Sequence, residues 1–390
     1  MFSSRLPERL LPNALSEALT RMRTGGVRYL DLTETNPTAV GLPYPPALAA
    51  ALATPEALRY RPDPLGLAGA RDAVARAYLD DGTVVNSRDI ALTPGTSDAY
   101  AMLFKLLCDP GDEVLIPQPS YPLFDMLTRL DCVNARPYRL DMAGRWALDR
   151  DSFAHALTPR TRAVLVVSPN NPTGSMLRAD DREWLVGIAA AHNLALISDE
   201  VFADYPLQAS PQATSLCGET RVLTFVLGGL SKSCGLPQLK LAWIVTSGPP
   251  AVVEESRRRL EVIADAYLSV ATPVQIAASD CFEHGRTIRA SIRDRIDGNL
   301  ARLRTLAAAH PFVTLLEPEG GWAVVLRLPS TEDEETLVLR LLEEAKVLVH
   351  PGYFFDFSES SFLVLSLLPE PDVFDAGTSR LFAAVLERVS

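Results

Sequence analysis

The chain has 390 residues, of which 47% are apolar and 22% charged, and its formal net charge is -11. This length exceeds a single small core and fits two domains, and the composition is that of a folded globular protein, which excludes a disordered chain. The acidic balance disfavours nucleic acid and anionic membranes as partners, and no apolar stretch is long enough to span a bilayer.

The predicted elements begin with an N-terminal arm over residues 1–30, a proline-rich loop over 31–46 and a helix over 66–80. From residue 90 to residue 247, short β-rich runs alternate with stretches that are apolar at helical spacing. Continuously apolar strands separated by helices predict a mostly parallel sheet that is covered on both faces. Two long helices and a smaller α+β unit follow, with helices over 250–266, 273–308, 332–345 and 370–388 and strands over 320–329 and 361–368.

The numbers and positions of the cysteines and lysines indicate the redox environment of the protein and make its few lysines candidates for function. The five cysteines are scattered, odd in number and without a CxxC pair, which is typical of reduced thiols rather than of disulfides or a zinc site. The N-terminus lacks the apolar core of a secretory signal, so a cytoplasmic location is expected. Lysine occurs only at Lys105, Lys232, Lys240 and Lys346, whereas arginine is abundant, and each lysine is therefore more informative than usual.

Four polar motifs follow predicted strands, namely TPGTSD at 93–98, SPNNPTG at 168–174, SDEVF at 198–202 and GLSKS at 229–233. In open α/β sheets, ligands bind at the carboxyl ends of the strands. The convergence of these motifs at one edge of the sheet therefore predicts a binding site there.

Lys232 lies at the end of an apolar strand within a glycine-flanked turn. An unprotonated primary amine at such a place could form a Schiff base with a buried carbonyl cofactor. The alternative is an ordinary exposed loop lysine, and the scarcity of lysine in this chain favours the functional interpretation.

The other three motifs each allow a functional and a structural interpretation. Gly95, Thr96 and Ser97 could form an anion site at a helix start or simply cap that helix. Asn171 could bond a cofactor oxygen or belong to a Pro/Asn turn. Asp199 could pair with a protonated heterocyclic nitrogen, as the pyridinium of pyridoxal 5'-phosphate (PLP) requires, or with a cation in a salt bridge.

Taken in chain order, the anion loop, an aromatic residue, Asn-Pro-Thr-Gly, the strand-end Asp and the Ser-Lys pair resemble the class I and II aminotransferases of fold type I, the aspartate aminotransferase-like superfamily. The resemblance implies an α/β fold with a mostly parallel seven-stranded sheet in a large PLP-binding domain, beside a smaller α+β domain. The expected division is 1–45 for the N-terminal arm and part of the small domain, 46–285 for the large domain and 286–390 for the C-terminal small domain. It also implies a homodimer with shared active sites.

The resemblance further implies a PLP-dependent transaminase that moves an amino group from an amino acid or related amine to a 2-oxo acid by a ping-pong mechanism. Lys232 would carry PLP as a Schiff base and shuttle the proton, and Asp199 would pair with the ring nitrogen. Tyr121 would stack on the ring, and Asn171 would bond its oxygen. The implied phosphate contacts are Gly95, Thr96, Ser97, Ser231 and Lys240, with Tyr60 reaching the phosphate in the partner subunit.

Several positions depart from the family pattern. Phe202 replaces a tyrosine whose hydroxyl donates to the ring oxygen, with Tyr205 as a substitute donor or a packed aromatic. Lys240 replaces an arginine that clamps the phosphate. Val364, in the strand SFLVLSLL, replaces the arginine that binds the substrate carboxylate, so another group binds the carboxylate or the substrate has none there. The expected substrate contacts are Thr35 and Asn36, in the N-terminal substrate loop where the glycine of the family is replaced, and Trp322, which lines the pocket or packs in the core.

Two alternatives to transamination stay open. One is a PLP lyase or another Cα-chemistry enzyme of the same fold, and the other is a weakly catalytic PLP-binding protein. A dinucleotide-binding dehydrogenase is disfavoured because no GxGxxG motif follows a strand. The five histidines are isolated in sequence, so no metal site is expected.

Overall fold

The computed structural model describes residues 2–7, 11–142, 144–207, 213–329, 332–359 and 361–389. The strands, numbered in chain order, are β1 Leu30–Asp31, β2 Ile90–Thr93, β3 Glu113–Gln118, β4 Asn134–Met142, β5 Trp146–Leu148, β6 Thr161–Val167, β7 Ala195–Asp199, β8 Thr224–Gly229, β9 Ala242–Ser247, β10 Thr314–Leu316, β11 Ala323–Arg327, β12 Val347–Leu348, β13 His350–Pro351 and β14 Phe362–Ser366. The helices are α1 Ala14–Thr24, α2 Ala47–Leu52, α3 Ala68–Asp80, α4 Thr96–Leu107, α5 Phe124–Leu130, α6 Arg150–Ala156, α7 Ala179–His192, α8 Leu230–Ser233, α9 Pro250–Asp265, α10 Thr272–Ile276, α11 Ala278–Ala308, α12 Glu334–Glu343 and α13 Pro371–Val389.

The large sheet has eight strands in the order β2-β9-β8-β7-β6-β3-β4-β5. Strands β8, β7, β6, β3 and β4 are mutually parallel, whereas β9 runs antiparallel to both of its neighbours. The mostly parallel α/β architecture predicted from the sequence is confirmed. Beyond the seven strands expected, the short strand β5 adds an antiparallel hairpin to β4 at one edge.

The central strands are apolar throughout because both faces of the sheet are covered. In β6, Ala163 and Leu165 face α4 and α9, where they pack in a core cluster with Leu103. Val164 and Val166 face the opposite side and pack in a second cluster with Leu185 of α7. Such double burial produces continuous apolar runs rather than alternation.

A smaller antiparallel sheet has the order β10-β11-β14-β13, and β1 pairs in parallel with β12. Helices α11, α12 and α13 pack against one face of these strands, because Leu363 and Leu365 share a core cluster with Ile296, Leu341 and Phe382. The N-terminal strand β1 thus joins the C-terminal part of the chain. The domain boundary expected at residue 285 lies within the long helix α11.

The turn before β11 connects the small sheet to the loops at the end of the large sheet. The backbone N–H groups of Glu319 and Gly320 donate to the carbonyl of Gly174, at 3.1 and 2.9 Å. Gly174 has φ of +70°, and a Cβ there would lie 2.5 Å from Cβ of Pro318. Only glycine fits this approach. The contact sets the position of Trp322 beside the strand-end loops.

Candidate active site

The motifs singled out in the sequence follow strands whose carboxyl ends lie at one edge of the large sheet. TPGTSD follows β2, SPNNPTG follows β6, SDEVF ends β7, and GLSKS joins β8 to α8. The loop after β3 carries Tyr121. Their convergence follows from the strand order, in which β6, β7 and β8 are adjacent.

Lys232 lies on the one-turn helix α8, and its amine lies close to two aromatic rings. The Nζ atom lies 4.9 Å from the ring centroid of Trp322 and 5.5 Å from that of Phe202. Burial lowers the pKa of Lys232 to about 8, although the negative charge of Asp199 acts in the opposite direction. An amine with this pKa is unprotonated far more often at neutral pH than an ordinary lysine.

A hydrogen bond from Tyr205 holds the backbone of this lysine in place. Its hydroxyl donates to the carbonyl oxygen of Lys232 at 2.6 Å, and its ring is fully buried against Trp322. The hydroxyl is therefore engaged by the main chain in this structure, which favours the packed-aromatic interpretation over that of a substitute donor to the cofactor.

Asp199 ends strand β7 with only 7% of its surface exposed. Its Oδ2 accepts a hydrogen bond of 2.6 Å from the Tyr100 hydroxyl, and Oδ1 accepts one of 3.2 Å from the Val201 N–H. Burial raises the pKa of Asp199, and these hydrogen bonds and the charge of Lys232 partly oppose that rise. Within the described residues the carboxylate forms no ion pair, so it is placed to receive a cationic group from a ligand.

The N-terminus of α4 is open to an anion. Gly95 is its N-cap, Thr96 and Ser97 occupy its first turn, and no side chain of the described residues caps it. A Cβ on Gly95 would lie 3.2 Å from Nζ of Lys240 and 3.3 Å from a carboxylate oxygen of Asp98, so the lysine reaches this turn. Free N–H groups, the helix dipole and an ammonium together favour phosphate. Ser231, also predicted to contact the phosphate, lies on α8 directly before Lys232.

The two asparagines in SPNNPTG differ in their hydrogen bonds. Asn170 is 2% exposed, donates through Nδ2 to the carbonyl of Pro119 at 2.9 Å and accepts from the Ser120 hydroxyl at 3.2 Å. It therefore fixes the loop that carries Tyr121. The side chain of Asn171 forms no hydrogen bond within the described part of the chain, which leaves its amide available to a ligand.

Tyr121 lies at the mouth of the site with 39% of its surface exposed, and its ring contacts Phe124 edge-on at 5.9 Å. Burial and the nearby charge of Asp199 raise the pKa of Tyr121, which indicates that the two side chains are close. A partly exposed ring beside Asp199 is compatible with stacking on a heterocycle.

The expected substrate residues differ in their surroundings. Trp322 is 2% exposed, contacts Phe202 edge-on at 5.4 Å, and leaves its indole Nε1 without a partner among the described residues. It is thus both a core residue and a neighbour of Lys232. Thr35 and Asn36 are exposed, and the Asn36 side chain accepts hydrogen bonds from the N–H and hydroxyl of Thr38, at 3.0 and 2.7 Å.

Tyr60, predicted to act in the partner subunit, is 76% exposed on the surface of this chain. Val364 lies in β14, and its cross-strand neighbours are Val325 and His350, neither of which is an arginine.

Within the described ranges, no group of three or more His, Cys, Asp and Glu side chains could hold a metal ion. Over the same residues, no helix has the length and apolarity of a membrane span.

Sequence reasoning missed Tyr100 and Asn170. Tyr100 lies four residues after Thr96, on the same face of α4, and this spacing is the one signal that could have indicated it. Nothing local distinguishes Asn170 from Asn171, since their roles depend on Pro119 and Ser120, about 50 residues away.

Three features match three of the functional groups of PLP. The buried amine of Lys232 suits the aldehyde, the unpaired carboxylate of Asp199 suits a protonated ring nitrogen, and the uncapped start of α4 with Lys240 suits the phosphate. The residues present therefore fit this cofactor.

Comparison with known proteins gives a consistent result. The sequence model of the family "Aminotransferase class I and II" matches residues 30–372. The chain is 28% identical over 370 residues to the glutamate-pyruvate aminotransferase AlaA of Escherichia coli, covering 92% of this chain and 91% of the relative. It is 29% identical over 383 residues to the alanine aminotransferase of Mycobacterium tuberculosis, covering 95% and 86%.

Solved structures resemble the whole chain. An aminotransferase from Escherichia coli superposes with a TM-score of 0.88 at 26% identity, covering 99% of this chain and 98% of that one. The aspartate aminotransferase of Thermotoga maritima superposes with a TM-score of 0.83 at 23% identity, covering 99% and 100%. The aspartate aminotransferase-like fold predicted from the sequence is confirmed.

Proposed function

The chain belongs to the class I and II aminotransferases, and from this premise we propose that its amino donor is an α-amino acid, its acceptor a 2-oxo acid and its catalytic residues Lys232 and Asp199. As a family member, it is an enzyme that transfers amino groups and uses PLP. The observation that carries the assignment of residues is that a buried lysine of lowered pKa lies near a buried carboxylate that forms no ion pair among the described residues.

PLP, when bound, supplies the aldehyde that takes up the amino group and the ring that withdraws electrons from the substrate Cα. Lys232 Nζ would hold the cofactor and move the proton at the substrate Cα. Asp199 would keep the ring nitrogen protonated, and Asn171 and Tyr121 would position the ring. The α4 N-terminus, Ser231 and Lys240 would bind the phosphate. Phe202 and Trp322 would exclude water from the amine.

The proposed substrates follow the relatives, whose names give glutamate–pyruvate and alanine aminotransferase. Single-turnover absorbance on the PLP-loaded enzyme, with alanine, glutamate, tyrosine and the matched amines ethylamine and tyramine, tests the proposal. We expect at least one amino acid to convert the cofactor to its amine form, and pyruvate or 2-oxoglutarate to restore it. Release of ammonia over many turnovers without an acceptor would instead identify a lyase.

We also propose a homodimer with shared active sites. Leu58 and Tyr60 expose 90% and 76% of their surfaces, and large exposed apolar side chains next to each other favour an interface. The division at residues 45 and 285 and a cytoplasmic location remain parts of this proposal. The location is supported by the five cysteines, all free thiols.

Replacing Leu58 with aspartate should convert the protein from a dimer to a monomer of 42.4 kDa, because a carboxylate would be buried at the interface. Sedimentation equilibrium measures the mass. Val84→Asp, at a position that is 81% exposed, serves as the control and should remain a dimer. Tyr60→Phe should also remain dimeric but bind PLP more weakly. A monomeric wild type at micromolar concentration would contradict the proposal.

A further inference from the structure

Strand β14 offers no cation where the family pattern has an arginine for the substrate carboxylate. Val364 is 3% exposed and packs in an apolar cluster with Val325, Phe355, Phe357 and Phe362. Trp146, on the additional strand β5, closes the same cluster and contacts Phe357 edge-on at 5.7 Å. The β14 residues on this face are Phe362, Val364 and Ser366, so no arginine of this strand occupies a neighbouring position on the face.

The polar side chain next to Val364 is on the neighbouring strand. His350 of β13 is the cross-strand partner of Val364, and directly opposed residues of antiparallel strands point to the same face. The imidazole is half-buried, and its ring lies 5.8 Å from both Phe354 and Phe355. Neither ring nitrogen forms a hydrogen bond with the described residues, so an N–H donor is available.

His350 lies close to two elements that border the candidate active site. The carbonyl of Phe355 accepts a hydrogen bond of 3.1 Å from the N–H of Ser120, directly before Tyr121. Strand β1, which ends at Asp31 just before the loop with Thr35, pairs with β12 directly before β13, and the charge of Asp31 acts on the imidazole. His350 therefore lies near both the loop of Tyr121 and the loop of Thr35 and Asn36.

We propose that His350 is the residue that selects substrates with a carboxylate, in place of the arginine that Val364 replaces. An imidazole N–H would donate one hydrogen bond to a carboxylate oxygen of the amino acid. Burial lowers the pKa of His350, which favours the neutral imidazole at pH 7, so the ring would bind as a hydrogen-bond donor rather than as a cation. This inference rests on the proposed function, since it assigns the specificity of the same site.

A single hydrogen bond has a measurable consequence. A bidentate arginine supplies two parallel charge-assisted bonds, whereas one imidazole donor supplies one. We therefore expect only roughly 10- to 100-fold preference for an amino acid over the matched amine, the range of one hydrogen bond to a charged group.

The experiment uses three compounds that differ by one group, namely alanine, ethylamine without the carboxylate and propionate without the amine. In His350→Ala, we expect propionate affinity by calorimetry and the single-turnover rate constant over KM for alanine to fall roughly 10- to 100-fold, with ethylamine changed less than about twofold. His350→Gln keeps a donor and should recover part of the loss. His310→Ala is the control, because His310 is also half-buried but follows the C-terminus of α11, where its Nδ1 hydrogen-bonds to the carbonyl oxygen of Leu306.

Equal losses for alanine and ethylamine in His350→Ala, no loss for either, or a wild type that prefers ethylamine would overturn the assignment. Failure of the proposed function looks different. In that case neither alanine nor any other amino acid converts the wild-type cofactor, while the calorimetric loss of propionate binding in His350→Ala still supports the assignment.

Discussion

Replacing Lys232 with alanine should lower amino-group transfer by at least about 10³-fold, because the variant loses both the nucleophilic amine and the general base. The four lysines of the chain provide the control. Lys240→Ala should bind PLP more weakly, since its Nζ reaches the α4 N-terminus at Gly95, but should keep the reaction. Lys105→Ala, at a lysine paired with Asp131, should change neither property.

Covalent trapping separates the two lysines directly. Borohydride reduction of the PLP-loaded enzyme followed by peptide mass spectrometry should find the cofactor on Lys232. Because the pKa of Lys232 is lowered to about 8, attachment of PLP to the apo protein should become faster as pH rises and level off above that value. Label on the peptide with Lys240 would show that the reactive lysine was misassigned.

The sequence predicted the central sheet because its strands are buried on both faces. The runs that became β6, β7, β8 and β9 are apolar at nearly every position, a pattern that amphipathic edge strands lack. Strand β4 was not predicted, because in NARPYRLDM only Tyr138 is buried and the run lacks the apolar residues that mark a central strand. Its pairing with β3 and β5 at the edge of the sheet determines its conformation.

The candidate site was predictable where function depends on residues near each other in sequence. The Ser-Lys turn and the strand-end aspartate carry local signals, but the surroundings that tune them are distant in the chain. Tyr100 meets Asp199 across 99 residues, and Trp322 reaches Lys232 only because Gly174 allows the turn before β11 to approach. The spacing of residues along a single sequence does not indicate such long-range contacts. The lowered pKa of Lys232 could therefore be found only in the structure.

Asp199→Asn should lower amino-group transfer by roughly 10²- to 10³-fold, because a neutral amide cannot hold the ring nitrogen protonated. Tyr100→Phe should cause a smaller loss, since it removes one hydrogen bond to the carboxylate but keeps the charge. Steady-state kinetics with saturating PLP measure both losses. An Asp199→Asn variant with wild-type kcat would exclude Asp199 as the partner of the ring nitrogen.

The same substitution should stabilise the apo protein. Burial raises the pKa of Asp199, so the native state opposes ionisation, and the wild type loses stability as pH rises through that raised pKa. The thermal unfolding midpoint of apo Asp199→Asn should therefore be higher than that of the wild type at pH 8. The difference between the two midpoints should disappear as pH falls towards the ordinary carboxyl pKa.

Asp112→Asn is the control of opposite sign, because the hydrogen bond from Arg162 lowers the pKa of Asp112 and stabilises the ionised form. That variant should be less stable than wild type at pH 8 and approach it in acid. An Asp199→Asn midpoint at or below that of the wild type at pH 8 would show that the burial of Asp199 does not destabilise the apo protein, which would contradict its assignment as a preformed cation site.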